Sequence, residues 1–544
     1  MFVPELRPWR AARPHVTRFA GAVRPSLARA AEAVRPRLER TATAAKPRVA
    51  RLVRAVSPQA ARTRKPKTWQ YTAGATTAGL ALAAGVVTAA GPWDSTGQRT
   101  AERDRAAAQE RTGGADHGRN ADTSDTSGTA GHAPLPAPSA ASVLTGLGGG
   151  TSSVKAAPNG KALAGVLGPL LDAPELGTRS AAVVDVATGK RLYGEGASEP
   201  LVPASTTKIV TAAAALTALG PDHRLTTRTA LEPDTKELVL VGGGDPTLTA
   251  RKEADGWASL RELAADTAEA LRKHDLREVT LSYDTTLYAG SDLHPIGVNG
   301  NLARVTALMA DEARTDDSMS GPVRRVPDPA KDAAAKFASF LADHGIKTTS
   351  PGPSKATNRA ESLAEVSSPP LSALVERMLT NSDNDIAEAL ARQTAVASGE
   401  RADFDGADQA IRARLKRLGL PVDGAVFKDG SGLNREDRLT AGLLAALLAK
   451  ASDPAHPELR PTLTGLPVAG FTGTLTSRYT DGAAGIVRAK TGTLTGVNTL
   501  AGTVVDQDGR LLSFAFLATN TTDPGAAQSA LDRTATALAS CGCR

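Results

Sequence analysis

The sequence predicts an α+β domain in which strands from both ends of a globular region form one sheet that helices cover. An early segment, "RSAAVVDVATGKRLYGEG" (179–196), alternates in hydrophobicity around the turn "ATGK" and predicts a two-stranded hairpin. Near the C-terminus, 483–520 predicts three strands around a "DQDG" turn, and a helix follows from Pro524 to Ala539. Terminal strands packed by helices indicate that the first hairpin can pair with the last strands.

The region between these strands alternates between helical and strand-like patterns. A helix begins at Ser205, and 370–396 predicts two helices separated by a turn. The other predicted elements are strands within 236–248 and 276–284, and helices within 259–274, 402–420 and 440–452. This mixture, rather than a regular strand–helix repeat, favours the α+β class.

Charge divides the 544-residue chain into two parts. Residues 1–68 contain 17 Lys and Arg against 3 Glu, which gives this part a net charge of +14. Because the whole chain has a net charge of +7, the remaining residues have a net charge of −7. A net acidic domain lacks the clustered positive charge that phosphate binding needs, and no specific nucleic acid is expected as a partner. Nucleic-acid binding by 1–68 alone is a separate alternative, which predicts salt-sensitive affinity.

The segment 69–93, "WQYTAGATTAGLALAAGVVTAAGPW", contains no charged residue and is long enough to cross a bilayer. Basic residues precede it and aromatic residues stand at both ends, which predicts a single transmembrane anchor in the cell membrane with 1–68 as a cytoplasmic tail. A buried Ala-rich helix and a secretory signal peptide are the alternatives. The following 94–160 is rich in Ser, Thr, Gly, Ala, Asp and Pro and predicts a disordered linker. The rest of the chain would then be extracellular.

The chain offers few metal or redox signals. Only Cys541 and Cys543 occur, which excludes a disulfide framework and a multi-cysteine zinc site, and leaves a free pair or a mutual disulfide. The eight histidines are scattered without HExxH or other metal spacing. No metal and no cofactor are therefore expected.

The stretch "PASTTKIVTAAAAL" (203–216) places Ser205 and Lys208 three positions apart at the start of a helix. A serine hydroxyl needs a base within hydrogen-bond reach to attack a carbonyl, and a lysine whose pKa is lowered by burial can be that base. The alternative is that Ser205 caps the helix and Lys208 is a surface charge. The spacing alone does not decide, because Ser152 and Lys155 match it inside the predicted linker.

Two further motifs follow in order. The turn in "LTNSDNDIAEA" carries Ser382, Asp383 and Asn384, and the probable strand "RAKTGTLTG" carries Lys490, Thr491 and Gly492. The set SxxK, SDN and KTG, in this order, is used by serine enzymes that interact with penicillin. A near copy, "FTGTLTSRYT" from Phe471, has phenylalanine in place of the lysine and lacks the cation that a substrate carboxylate needs.

With these motifs the chain resembles the D-alanyl-D-alanine carboxypeptidase/endopeptidase family, the class C low-molecular-mass penicillin-binding proteins. The likeness extends over "VGGGDPTL" (241–248), "SSPPL" (367–371), "DGSGLNR" (429–435) and "AKTGTLTG" (489–496). It implies a transpeptidase domain of the penicillin-binding protein and serine β-lactamase type with an inserted domain between SxxK and SDN. The implied division is 161–224 for its first part, 225–350 for the insert and 351–540 for its second part.

The resemblance also implies the residue roles. Ser205 attacks the carbonyl between two D-alanines of a peptidoglycan stem peptide, Lys208 takes its proton, and Ser382 relays it to the leaving amine. Substrate binding falls to Asn384 and to the segment of the KTG motif, Lys490, Thr491, Gly492 and Thr493, with Gly492 leaving room for substrate. β-Lactams would be covalent inhibitors. A β-lactamase and a non-catalytic wall-binding protein on the same fold are the alternatives, and the oligomeric state stays open.

Three polar residues near these motifs have plainer interpretations. Asp429 and Ser431 in "DGSGL" and Asp245 after three glycines are interpreted as turn residues. No GxSxG motif occurs, so a hydrolase with a histidine base has no support.

Overall fold

The computed structural model describes residues 158–479 and 482–543. The predicted basic tail (1–68), membrane anchor (69–93) and nearly all of the linker (94–160) lie outside the described residues. Within the described part, none of the helices combines the length and apolar character needed to cross a membrane.

The described elements alternate between strands and helices along the chain. The strands are β1 (Thr178–Asp185), β2 (Arg191–Glu195), β3 (Thr226–Leu231), β4 (Glu237–Val241), β5 (Glu278–Asp284), β6 (Lys347–Thr348), β7 (Gly352–Pro353), β8 (Glu361–Ser367), β9 (Arg488–Leu494), β10 (Val497–Val505) and β11 (Leu511–Thr519). The helices are α1 (Gly160–Leu171), α2 (Thr207–Leu219), α3 (Leu260–Lys273), α4 (Pro329–Asp343), α5 (Leu371–Asn381), α6 (Asn384–Ser398), α7 (Phe404–Arg417), α8 (Ala441–Ala451), α9 (Arg460–Thr464) and α10 (Pro524–Ala539).

A five-stranded antiparallel sheet joins the two ends of the described region. Its order is β2-β1-β11-β10-β9, and the first hairpin meets the last strands through β1 and β11, with Thr178 opposite Thr519. The pairing predicted from the sequence is therefore present, and the α+β fold class with an antiparallel sheet packed by helices is confirmed. Strand β9 lies at the edge of this sheet.

Helices cover both faces of this sheet. Along β11, Phe514 and Phe516 point into a core shared with α1 and α10, whereas Ala515 and Leu517 point into a core shared with α2, α6 and α8. The alternation follows from the two-residue period of a strand. Because both faces are buried, nearly every residue of β10 and β11 is buried, and β11 reads as a nearly continuous apolar run.

A second sheet is built from the segment between the SxxK and SDN motifs. Its order is β6-β5-β4-β3-β8, β7 also pairs with β5, and α3 and α4 pack on it around a separate apolar core. We call 226–367 the inserted unit.

The predicted end of the inserted domain, 350, is too early. Strand β8 returns to pair antiparallel with β3, and Ser367 lies opposite Thr226. The sequence analysis did not predict this strand. Val366 is its one buried residue, and a strand that buries so little does not require the clear apolar alternation that marks a half-buried strand.

The C-terminus closes against the start of the described region. Cys541 and Cys543 form a disulfide, one of the two states that the sequence left open. The backbone N–H of Asn159 donates to the carbonyl of Cys543 at 2.7 Å, which joins the segment before α1 to the segment after α10.

Candidate active site

Ser205 lies in a single 3₁₀ turn, Ala204–Thr206, directly ahead of α2. The N-cap of α2 is Thr206, and no side chain caps the helix. Ser205 is therefore not the helix cap, which was the alternative interpretation of the motif. Ala204 has φ 47°, a left-handed conformation that costs a residue with a Cβ atom free energy and that the surrounding packing maintains.

Lys208 lies on the first turn of α2 and is completely buried. Its Nζ is 3.1 Å from Ser205 Oγ, 2.7 Å from Asn384 Oδ1 and 2.7 Å from the carbonyl oxygen of Ser431. Burial lowers the pKa of Lys208 to about 8, although the nearby carboxylates of Asp429 and Glu388 oppose the shift. A substantial fraction of the amine is therefore neutral near pH 8, and in that state it can accept the Ser205 proton.

The SDN motif lies on the turn between α5 and α6. Ser382 ends α5 in a left-handed conformation, φ 59°, and Asp383 caps α6 by accepting from the N–H of Ile386. Asn384 begins α6, so its Oδ1 accepts from Lys208 while its Nδ2 donates to the carbonyl of Asn301 at 2.9 Å. The motif thus connects Lys208 to the inserted unit.

The KTG motif lies on the edge strand β9. Lys490 is completely buried, and its Nζ donates to the carbonyl of Thr491 at 2.8 Å. Burial, together with the neighbouring charges of Lys208 and Arg478, lowers the pKa of Lys490 well below its usual 10.5. Thr491 is half-buried and Thr493 is exposed, so the two threonines offer the accessible hydroxyls of this motif.

Gly492 serves a different purpose from the one the sequence suggested. A Cβ atom at this position would lie 2.1 Å from Thr499 Oγ1 and 2.8 Å from the carbonyl oxygen of Pro203. The space that glycine provides is filled by the turn that carries Ser205, not by substrate. Thr499 Oγ1 also donates to the carbonyl of Pro203 at 2.8 Å, which fixes this turn against β9 and β10.

A cavity of about 230 Å³ opens beside the nucleophile. Four residues that the sequence predicted for the site line it: Ser205, Ser382, Asn384 and Thr493. Lys208 and Lys490 are fully buried and do not line it. The inserted unit forms the opposite wall with Asn301, Arg314, Ser320, Gly321, Pro322 and Arg325.

The "DGSGLNR" loop is a part of the site that the sequence analysis interpreted only as a turn. Asp429 accepts from the N–H groups of Gly432 and Asn434, both at 2.6 Å, so it does hold a turn, as the sequence analysis expected. The same loop also contacts Lys208. Glu388 accepts from the N–H of Ser431 at 2.9 Å. With this N–H held, the carbonyl of Ser431 faces Lys208.

His294, from the inserted unit, completes this buried network. Its Nε2 is 2.9 Å from Asp429 Oδ2 and 3.8 Å from Glu388 Oε1. Burial opposes its protonation, but the hydrogen bond to Asp429 and the charge of Glu388 raise the pKa of His294 above its usual value. The imidazolium form therefore offsets the charge of the carboxylates that lie near Lys208.

The sequence analysis missed His294 and Glu388 for different reasons. Glu388 had a usable signal, because it follows Asn384 by four positions on one helix and so lies on the same face. His294 had none, because only the fold brings the inserted unit against a loop 135 residues later.

Among the residues that the structure describes, two buried clusters contain the residue types that bind metals: His294 with Glu388 and Asp429, and Glu312 with Asp383 and Asp385. The first is occupied by backbone N–H donors and the histidine. In the second cluster the carboxylate charges are paired with arginines. Glu312 pairs with Arg314 and Arg377, and Asp385 pairs with Arg325. Their oxygens already have partners within the protein, so we assign a metal to neither.

Comparison with protein families places these residues in a known context. Residues 163–315 and 313–538 match the model of the D-Ala-D-Ala carboxypeptidase 3 (S13) family. A carboxypeptidase DacB of Mycolicibacterium smegmatis is 37% identical over 399 residues, which cover 71% of this chain and 85% of that protein. A D-alanyl-D-alanine carboxypeptidase of an Actinomadura species is 29% identical over 414 residues, which cover 60% and 75%.

Among solved structures, penicillin-binding protein 4 of Haemophilus influenzae is similar with a TM-score of 0.57 and 20% identity. The superposition covers 70% of this chain and 98% of that one. The same protein complexed with a β-lactam gives a TM-score of 0.52 at 21% identity. These likenesses show the fold.

Proposed function

The chain belongs to the D-Ala-D-Ala carboxypeptidase 3 (S13) family, and from this premise we propose that Ser205 is the nucleophile of a penicillin-binding serine carboxypeptidase that acts on peptidoglycan stem peptides. One observation carries the assignment: a fully buried Lys208 with its pKa lowered to about 8 lies 3.1 Å from Ser205 Oγ. This pairing of nucleophile and base is what acyl transfer to serine requires.

The reaction proceeds in two halves. Ser205 Oγ attacks the carbonyl carbon of the penultimate D-alanine while Lys208 Nζ takes the hydroxyl proton. The N–H groups of Ser205 and Thr493 hold the resulting oxyanion, and loss of one such donor typically costs about 2.7 to 4 kcal/mol. The C–N bond then breaks, the departing amine receives a proton through Ser382, and an ester on Ser205 remains. Water hydrolyses this ester and restores the serine.

Substrate lies along the edge of β9 beyond Ala489, whose own N–H donates to the carbonyl of Pro467. An edge strand offers unpaired backbone groups to an extended peptide, and the cavity beside Ser205 adjoins this edge. Asn384 hydrogen-bonds the substrate amide, and Thr491 and Thr493 hold the terminal carboxylate. An anion placed there favours the ammonium form of Lys490, because an opposite charge raises a lowered lysine pKa.

Benzylpenicillin tests this function directly. We expect the intact mass of the wild-type protein to rise by the mass of one drug molecule and the adduct to persist, since a carboxypeptidase deacylates penicillin slowly. Trypsin digestion should place the adduct on peptide 192–208, which contains Ser205. Release of D-alanine from a peptide that ends in D-Ala-D-Ala completes the assay.

Other outcomes identify the alternatives. An adduct that turns over within seconds would indicate a β-lactamase. A protein that forms no adduct and releases no D-alanine would be a non-catalytic member of the fold, and the proposed function would be wrong.

We also propose that 69–93 anchors the enzyme in the cell membrane, with 1–68 cytoplasmic and the catalytic domain outside. The support is the uncharged segment with its basic flank and aromatic ends. We expect the full-length chain to stay in the membrane pellet after alkaline carbonate washing. Replacing Leu80 and Val86 by lysine should release it, because two charges at the centre of the span oppose insertion. Release of the unaltered chain by carbonate would contradict the anchor.

A further inference from the structure

The segment 471–476, "FTGTLT", nearly repeats the KTG motif but has phenylalanine where the motif has lysine. The structure places this segment against the KTG strand itself. Its central residues, Gly473–Leu475, form a 3₁₀ turn, and Leu475 is completely buried in the core between α1, α10 and the sheet. The segment therefore packs between the KTG strand and the apolar core beneath it.

A hydrogen bond joins this segment to the KTG motif. In the absence of substrate, Thr491 Oγ1 donates to Thr474 Oγ1 at 2.8 Å. Thr474 is exposed and Thr491 is half-buried, so both hydroxyls lie on the accessible side of β9. Thr491 is the residue to which the proposed function gives the terminal carboxylate.

The same segment touches the SDN turn through its glycine. Gly473 has φ +55°, and a Cβ atom there would lie 2.1 Å from the carbonyl oxygen of Thr380, two residues before Ser382. Hydrogen bonds within the loop hold its shape: Thr472 Oγ1 accepts from the N–H of Val468 at 2.8 Å, and Thr476 Oγ1 donates to the carbonyl of Gly473 at 2.8 Å. Thr474 is thereby placed at a fixed position between the SDN and KTG motifs.

The chemistry of hydroxyl groups determines which of the two threonines donates its hydrogen when a carboxylate is bound. A threonine hydroxyl has one hydrogen to donate and can accept twice, whereas a carboxylate only accepts. When a carboxylate binds, Thr491 turns its hydrogen from Thr474 to the anion, the bond between the two threonines reverses, and the Thr491 oxygen accepts the hydrogen of Thr474. The two hydroxyls then form a chain that ends on the carboxylate, and each donor strengthens the next.

We propose that Thr474 is a positioning residue that orients the Thr491 hydroxyl toward the terminal carboxylate of the stem peptide and so selects substrates with a free C-terminus. The inference rests on the proposed function and adds to it a residue outside the three motifs.

A pair of substrates tests the inference: a peptide that ends in D-Ala-D-Ala with a free carboxylate, and the same peptide as its C-terminal amide. Thr474→Val keeps the shape of the side chain and removes the hydroxyl. We expect kcat/KM for the acid to fall about tenfold, mainly through KM, and that for the amide to change less than about twofold, because a charge-assisted hydrogen bond is lost only with the acid. Thr474→Ser, which retains the hydroxyl, should restore the preference for the acid.

A matched control lies outside this loop, on the turn between β3 and β4. Thr235 is exposed, and Thr235→Val removes a hydroxyl that accepts from the N–H of Glu237. Its acid-to-amide ratio should equal that of the wild type. If Thr474→Val lowers both substrates equally, Thr474 has only a structural role; if it changes neither, the hydrogen bond is without effect. Either result overturns the inference.

The inference and the proposed function fail in different ways. A wild type that releases no D-alanine removes the proposed function. The inference is still measurable then, as the ratio of acid to amide affinities found by calorimetry in the Ser205→Ala background. An active wild type whose ratio is unchanged in Thr474→Val removes the inference alone.

Discussion

Replacing Lys208 by methionine is expected to lower the rate at which benzylpenicillin acylates Ser205 by about 10³- to 10⁴-fold, because the variant keeps the nucleophile and loses its base. Methionine is a suitable replacement, since the Lys208 side chain is completely buried and the thioether fills similar volume without a charge. The second-order rate of adduct formation, followed by intact mass, measures the loss. Ser205→Ala sets the background, because it forms no ester.

The same residue predicts a pH dependence with a definite sign. Below its pKa of about 8, Lys208 is an ammonium that donates to Ser205 Oγ, Asn384 Oδ1 and the Ser431 carbonyl and has no lone pair for the serine proton. Acylation by the wild type should therefore rise with pH through about 8 and level off above it. The residual rate of Lys208→Met should lack this rise.

A surface lysine supplies the control for both measurements. Lys450, in the last turn of α8, pairs with Asp453, and Lys450→Met should keep the wild-type rate and pH profile. A wild-type rate that is flat between about pH 6 and 9 would contradict the assignment of Lys208 as the base.

The parts that the sequence predicted depend on residues a few positions apart and on the apolar patterns of the strands at the two ends of the described region. Ser205 and Lys208 are three positions apart, so any helical start brings them together, and the structure places them 3.1 Å apart. The apolar patterns are strongest in β1 and β11, whose central residues are buried on both faces of the sheet. Contacts between residues a few positions apart, and strands with buried faces, can be predicted from the pattern of the sequence.

The parts that the sequence did not predict depend on long-range contacts. His294 contacts Asp429 across 135 residues, and the carbonyl of Asn301 accepts from Asn384 across 83. No local pattern marks such pairs, because each residue alone is typical of a loop. The weak apolar pattern of β8 concealed the end of the inserted unit in the same way.

The inserted unit forms one wall of the site and also contacts the SDN turn. Asp385, next to the SDN asparagine, accepts from the N–H of Ala303 at 2.8 Å and pairs with Arg325 at 3.0 Å. Burial raises the pKa of Asp385 to about 7 in spite of this arginine. The first turn of α6 is therefore held by the inserted unit as well as by its own helix, which keeps Asn384 in reach of Lys208.

Gly492→Ala is expected to damage both stability and activity, because the added Cβ would lie 2.1 Å from Thr499 Oγ1 and 2.8 Å from the carbonyl of Pro203. Overpacking of this kind lowers the free energy of unfolding by about 1 to 3 kcal/mol. Relief requires the turn that carries Ser205 to move away from β9, and a displacement of about 1 Å in a catalytic group can cost about 10²-fold in rate. Urea unfolding and the rate of benzylpenicillin acylation measure the two effects.

The comparison of these two measurements distinguishes the structural reason for Gly492 from the one that the sequence suggested. If the glycine only left room for substrate, Gly492→Ala would keep the wild-type unfolding free energy and would impair only the reactions with the peptide and with benzylpenicillin. If it admits the Ser205 turn, stability and acylation by benzylpenicillin fall together. Gly352→Ala on β7 is the matched control, since a Cβ atom there meets nothing within 4 Å and the variant should match the wild type in both. An unaltered Gly492→Ala protein would contradict the close approach of β9 to the nucleophile, on which the geometry of the oxyanion site depends.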